Sequence, residues 1–137
     1  SLRRVPRTAS LNKSMIASPT ILVIEDDSAV RTGILDTLEY GGYRTLEAAD
    51  GHEGMKLALQ ATYRLLLLDI VMPDMDGYET CRTLQADPAT KSIPIVMVST
   101  KSQKADHLWA RMQGAKALVG KPYSKSDLIG AIKSAVG

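Results

Sequence analysis

The chain has 137 residues, 45% hydrophobic and 4% aromatic, with no phenylalanine and a formal charge of +2. That length suits a single core, and a core so poor in aromatic rings must be built from Ile, Leu, Val, Met and Ala, as in a layered α/β protein. No apolar run nears the ~20 residues of a membrane span, the basic start lacks a signal-peptide apolar stretch, and the lone Cys81 excludes an internal disulfide, so a soluble cytoplasmic protein is expected.

The first elements in the chain are charged ones. Residues 1–19 carry Arg3, Arg4, Arg7 and Lys13 and no acid, which leaves 13 of the 17 bases against all 15 acids in the remainder. A net-acidic body argues against a nucleic-acid surface. Residues 1–19 are read as a basic N-terminal extension, either without a function or docking onto something acidic, and residues 20–137 as the folded domain.

From Thr20 on, strand and helix signals alternate five times. The first strand, Thr20 to Glu25, is followed by a helix that Asp27 or Ser28 can cap, with Val30, Ile34, Leu35 and Leu38 at helical spacing and Gly41-Gly42 as its stop. A strand over Tyr43 to Ala48 precedes a helix from Gly51 to Gln60 carrying Met55, Ala58 and Leu59. The third strand, Arg64 to Ile70, leads through Val71-Met72-Pro73-Asp74-Met75-Asp76-Gly77 into a helix with Cys81 and Leu84 that Pro88 closes. Ile93 to Ser99 is the fourth strand. The fourth helix, Ser102 to Gln113, is expected to bury Ala105, Leu108 and Met112 and to end at Gly114. Ala115 to Gly120 is the fifth strand, and a helix from about Ser126 repeats Leu128, Ile129, Ile132 and Val136.

Strands one, three and four are continuously apolar, whereas strand two holds Arg44, Thr45 and Glu47 and strand five holds Lys116, so strands two and five are the edges. Right-handed crossovers between parallel neighbours then give the order 2-1-3-4-5, a doubly wound sheet that reverses direction between strands one and three. Ligands of such sheets bind beyond the carboxyl ends of the strands at that reversal, where Glu25, Asp26 and Asp69 fall together.

Three adjacent carboxylates repel one another unless they bind protons or a cation. An all-oxygen set without nearby Cys or His suits Mg²⁺, or Mn²⁺, over zinc. Ser99, ending strand four, and Lys121, ending strand five, reach the same rim. A hydroxyl, an ammonium and a metal ion around a central carboxylate would hold a transferring phosphoryl group, with Asp69 as nucleophile. Each element alone has a plainer reading: Asp26-Asp27 as a helix cap, Ser99-Thr100 as another, Lys121-Pro122 as a surface turn. Their convergence at one end of one sheet favours the site.

Glu25-Asp26-Asp27, Asp69 with Met72-Pro73 and Asp76-Gly77, Ser99-Thr100 and Lys121-Pro122 resemble the receiver domain of two-component response regulators, of flavodoxin-like fold, over about Thr20 to Gly137. The resemblance implies that Asp69 accepts a phosphoryl group from a histidine kinase or phosphotransfer protein. It also implies that Glu25, Asp26, Asp69 and the Val71 carbonyl bind Mg²⁺, that Ser99 and Lys121 contact the phosphoryl oxygens, and that the Lys121-Pro122 bond is cis. A downstream protein would bind the face of helix four, strand five and helix five, with Lys104, His107, Trp109 and Arg111 on or near it. The protein would be a monomer or weak dimer without membrane insertion.

Two positions depart from the family's pattern. Leu118 stands where many receivers place a switching aromatic on strand five, and Val71 cannot hydrogen-bond an attacking water, which with Lys101 suggests slow hydrolysis of the phosphoryl group. Tyr123 reads as a packed ring, His107 as a solvated helix residue, and Trp109 as either core or partner anchor. The stretch Trp109 to Ala115 is similar to small receivers of twitching-motility and phototaxis pathways. The competing readings are a fragment of a longer transcriptional regulator, a metal-dependent phosphohydrolase, which lacks a second acid at position 71, and a binding-only module.

Overall fold

The computed structural model describes residues 20–72 and 75–136. The basic extension expected over 1–19, and Pro73 and Asp74 of the loop motif, lie outside the described residues. Ten elements alternate: β1 (Thr20–Ile24), α1 (Ser28–Tyr40), β2 (Arg44–Ala48), α2 (Gly51–Gln60), β3 (Leu65–Asp69), α3 (Gly77–Ala86), β4 (Ile95–Ser99), α4 (Lys104–Met112), β5 (Ala117–Gly120) and α5 (Lys125–Val136). The sheet is parallel throughout and ordered β2-β1-β3-β4-β5, as the distribution of polar residues among the strands predicts. The expected strands overran by one or two residues, at the starts of β2, β3, β4 and β5 and at the ends of β1 and β3, where the N–H groups of Glu25 and Ile70 each still bond to a neighbouring strand.

Because the inner strands are covered on both faces, alternate residues of each feed two cores. Leu22, Ile24, Leu66, Leu68, Ile95 and Met97 point to one, shared with α2, α3 and α4. Ile21, Val23, Leu65, Leu67, Val96 and Val98 point to the other, closed by α1 and α5 through Ile34, Leu35, Leu38, Leu128 and Ile132. Tyr123 packs against this second core, as a ring at that position should.

Helix starts follow local chemistry. Asp27, Asp50 and Asp76 sit at the N-caps of α1, α2 and α3, each accepting a backbone N–H three residues on. Gly42, with φ of 91°, takes the left-handed conformation that lets the chain leave α1, and Gly114, with φ of 104°, does the same after α4.

Helix α4 overturns one expectation. Its apolar residues Ala105, Leu108 and Met112 recur at core spacing, yet all three are exposed, Leu108 at 61% and Met112 at 68%, and the one buried residue of the helix is Ala110. Ala110 lies across the helix from Leu108 and Met112, and its methyl group fits beneath a core already filled by Cys81, Leu84 and Leu118. Helical periodicity locates a stripe but not the side on which the sheet lies. Leu59 of α2 is likewise exposed, while Leu57 and Ala58 carry the contact.

Candidate functional site

The β1–α1 junction places the first two acids. Glu25 extends the β1 ladder by one bond, its N–H donating to the Ala48 carbonyl at 3.1 Å. It is 1% exposed, and its Oε2 accepts the Asp27 N–H at 3.2 Å, so its side chain is pinned where the strand turns into the helix. Asp26 is exposed beside it. Asp69 ends β3, the neighbouring strand, and is also buried. One carboxylate oxygen from each of Glu25, Asp26 and Asp69 lies within 4.8 Å of the others.

Lys121, immediately after β5, bridges two of the three: Nζ donates to Glu25 Oε1 at 3.2 Å and to Asp69 Oδ1 at 3.3 Å. The Lys121-Pro122 bond is cis. These groups, with Asp27, Val30, Val71 and Thr100, line an open cleft of about 340 Å³. Ser99, 1% exposed at the end of β4, lines a different cleft of about 630 Å³ between α3 and α4, and its Oγ accepts the Lys101 N–H at 3.0 Å. Val71 borders both clefts. The acids and the ammonium are thus brought together directly, whereas the Ser99 hydroxyl lines the neighbouring cleft and is held by its own loop.

The electrostatics follow from crowding and burial. Burial, then the Asp69 charge, push the Glu25 carboxyl up to about 7, against the smaller lowering by the Asp27 N–H and Lys121. Burial also raises Asp69, with Lys121 pulling the other way. For Lys121 burial alone would lower the ammonium, but the charges of Asp69 and Glu25 override it and hold it above its usual value. One ammonium against three carboxylates leaves negative charge uncompensated. The donor set is all oxygen, compact and partly open to solvent, which fits a hard divalent cation with water completing its shell.

Two adjacent aromatics and one arginine complete the surroundings. Trp109, 46% exposed, meets Tyr78 of α3 edge to face with centroids 6.2 Å apart, so it is a rim residue and not core. His107 is half-buried, with Nε2 3.1 Å from the Ser102 carbonyl. Arg31 of α1 was not among the expected site residues. It shares the inner face of the helix with Ile34, Leu35 and Leu38, is 8% exposed, and donates from Nη1 to the Glu25 carbonyl at 2.8 Å. An arginine at core spacing four residues after the acidic pair Asp26-Asp27 is the signal that could have drawn notice to it.

Comparison with known proteins agrees with this geometry. The response regulator receiver domain family matches residues 21–133. Protein PilH of Pseudomonas aeruginosa is 34% identical over 114 residues, covering 83% of this chain and 94% of PilH. The chemotaxis protein CheY4 of Vibrio cholerae superposes with a TM-score of 0.81 at 26% identity, over 87% of this chain and 99% of that one. The receiver domain of the sensor histidine kinase PA1611 from Pseudomonas aeruginosa, whose structure has a magnesium ion coordinated in the active-site cleft, superposes with a TM-score of 0.80 at 26% identity, over 88% and 99%. The chain spans about half the length of several transcriptional regulators that it also matches. A family match over most of the chain, a relative of comparable size and a shared 2-1-3-4-5 sheet place this protein in the response regulator receiver domain family of two-component signalling.

Proposed function

We propose that this protein accepts a phosphoryl group on Asp69 from the phosphohistidine of a histidine kinase or phosphotransfer protein and signals by phosphorylation-dependent binding to a downstream protein. The observation that carries the reading is the cluster of Glu25, Asp26 and Asp69 with Lys121 Nζ spanning two of its carboxylates. An Asp69 carboxylate oxygen attacks phosphorus, the P–N bond to the donor imidazole breaks, and the ring nitrogen keeps the electron pair. Lys121 orients Asp69 beforehand and holds an equatorial phosphoryl oxygen afterwards. The Ser99 hydroxyl, whose oxygen accepts the Lys101 N–H, donates its own proton to another phosphoryl oxygen.

Glu25, Asp26, Asp69 and the Val71 carbonyl would hold Mg²⁺, or Mn²⁺ in its place, which neutralises the charge gathering on the phosphoryl oxygens. Water later attacks phosphorus and releases Asp69; Val71, apolar and 65% exposed beside the cleft, offers that water no hydrogen bond, which supports slow release. No external substrate is turned over. Residues 20–137 form the receiver unit and 1–19 an extension. The downstream protein binds the face of α4, β5 and α5, and likeness to the chemotaxis protein CheY4 supports a role in motility or taxis.

Intact-mass measurement of the parent and Asp69→Asn after incubation with acetyl phosphate tests this reading. A Mg²⁺-dependent gain of one phosphoryl group on the parent alone is expected. A gain on the variant as well, or none on a folded parent offered acetyl phosphate or a phosphorylated kinase, would overturn it.

A further inference from the structure

We infer that Arg31 is the positioning residue of the acidic cluster, a buried clamp that sets the β1–α1 turn so that Glu25 and Asp26 can share one cation. The inference rests on the divalent-cation reading of that cluster.

Arg31 occupies a place where the helix could have put another leucine, since Ile34, Leu35 and Leu38 stand three, four and seven residues on along the same buried face. A guanidinium buried there is tolerated only when its donors are used. Nη1 donates to the Glu25 carbonyl at 2.8 Å and reaches the Asp26 carbonyl at a longer 3.5 Å, and Nε donates to Glu47 Oε1 of β2 at 3.3 Å. One planar group thus ties α1 to the edge strand and to the main chain of both acids. The remaining tethers of that turn are the Glu25 N–H on the Ala48 carbonyl of β2, Lys121 Nζ on Glu25 Oε1, the Asp27 N–H on Glu25 Oε2 and the Val30 N–H on Asp27 Oδ1, and none of these four holds the Asp26 main chain.

Opposite signs distinguish the roles Arg31 could play. Its positive charge, taken alone, repels a divalent cation, so removing it should tighten binding. Its geometry, if it sets the ligands, should make removal weaken binding, as loss of residues that orient metal ligands commonly does by roughly 10- to 100-fold. A role confined to packing should lower thermal stability and leave the affinity alone. Lysine keeps the charge but cannot span the Glu25 carbonyl and Glu47 together.

The test is titration of full-length parent, Arg31→Gln and Arg31→Lys with Mg²⁺, followed by amide NMR shifts near residues 26 and 69, beside metal-free thermal melts. We expect affinity to fall about tenfold in Arg31→Gln and by a smaller factor in Arg31→Lys, with folded spectra for both. Tighter binding in Arg31→Gln with unchanged Arg31→Lys would overturn the inference in favour of charge alone. Equal affinities with lowered melting temperatures would overturn it in favour of packing. Should both variants unfold, Glu47→Ala at high ionic strength leaves Arg31 in place and removes its β2 anchor: a loss of about threefold supports the clamp, and parent affinity overturns it. A parent that binds no Mg²⁺ refutes the cation reading instead, before any variant is compared.

Discussion

Glu25 shows how much of the site's behaviour resides in one side chain. Its carboxyl titrates near 7 in the fold against an ordinary 4.5, because burial and Asp69 both oppose its charge. A carboxyl raised in the fold favours the native state while protonated. That contribution is complete below about pH 4.5 and is lost as pH rises through about 7. Glu25→Gln, a permanent mimic of the protonated form, should therefore gain stability relative to the parent across that interval when both are metal-free. Urea denaturation at pH 4.5 and 7.5 reads the difference directly. Mg²⁺ should reverse the ranking at pH 7.5, because only the parent then has the carboxylate to offer, and a pH-independent gap between the two proteins would show that Glu25 is not held protonated.

At the scale of elements, exposure and not periodicity decides what an apolar residue contributes. Leu108 on α4 is 61% exposed and Leu128 on α5 is wholly buried. Leu108→Ala should change stability by no more than about 0.5 kcal/mol, whereas Leu128→Ala should cost about 2–5 kcal/mol. Chemical denaturation of both variants checks the contrast, and a Leu108→Ala cost as large as that of Leu128→Ala would mean that α4 packs by its stripe after all. The same helix marks the limit of what the chain's pattern reveals. Strand order was legible because Arg44 and Glu47 interrupt the apolar run of β2 and Lys116 adjoins β5 while the strands between are apolar along their length, and Glu25, Asp26, Asp69 and Lys121 were legible as a group because each ends or follows a strand. The facing of α4 was not, since a nine-residue helix can dock by a single alanine and leave its larger side chains to solvent. Arg31 was not legible either, because its partners are the carbonyl of a residue six positions earlier and a carboxylate on another strand, which only the assembled fold brings within reach.

At the scale of the whole molecule, the cluster and folding are one equilibrium. Glu25 and Asp26 follow β1, Asp69 ends β3 and Lys121 follows β5, so the group exists only once β1 and β3 lie side by side at the centre of the sheet. The unfolded chain has no comparable site, and a cation that binds only the native state stabilises it by mass action, about 2.7 kcal/mol at 100 times the dissociation constant. For a domain of this size each kcal/mol moves the melting temperature by about 4 °C, so saturating Mg²⁺ should raise it by roughly 10 °C. Sodium chloride at matched ionic strength should produce little of this, since screening lessens the repulsion among the carboxylates without supplying a ligand to them. Asp26→Asn removes an exposed acid that makes no part of either core, and should abolish most of the Mg²⁺ increment while leaving the fold intact. Thermal melts of parent and variant, with and without Mg²⁺, decide the matter. Equal increments in both would place the cation elsewhere on the surface, and an increment confined to the parent would tie the stability of the sheet to occupation of its acidic end.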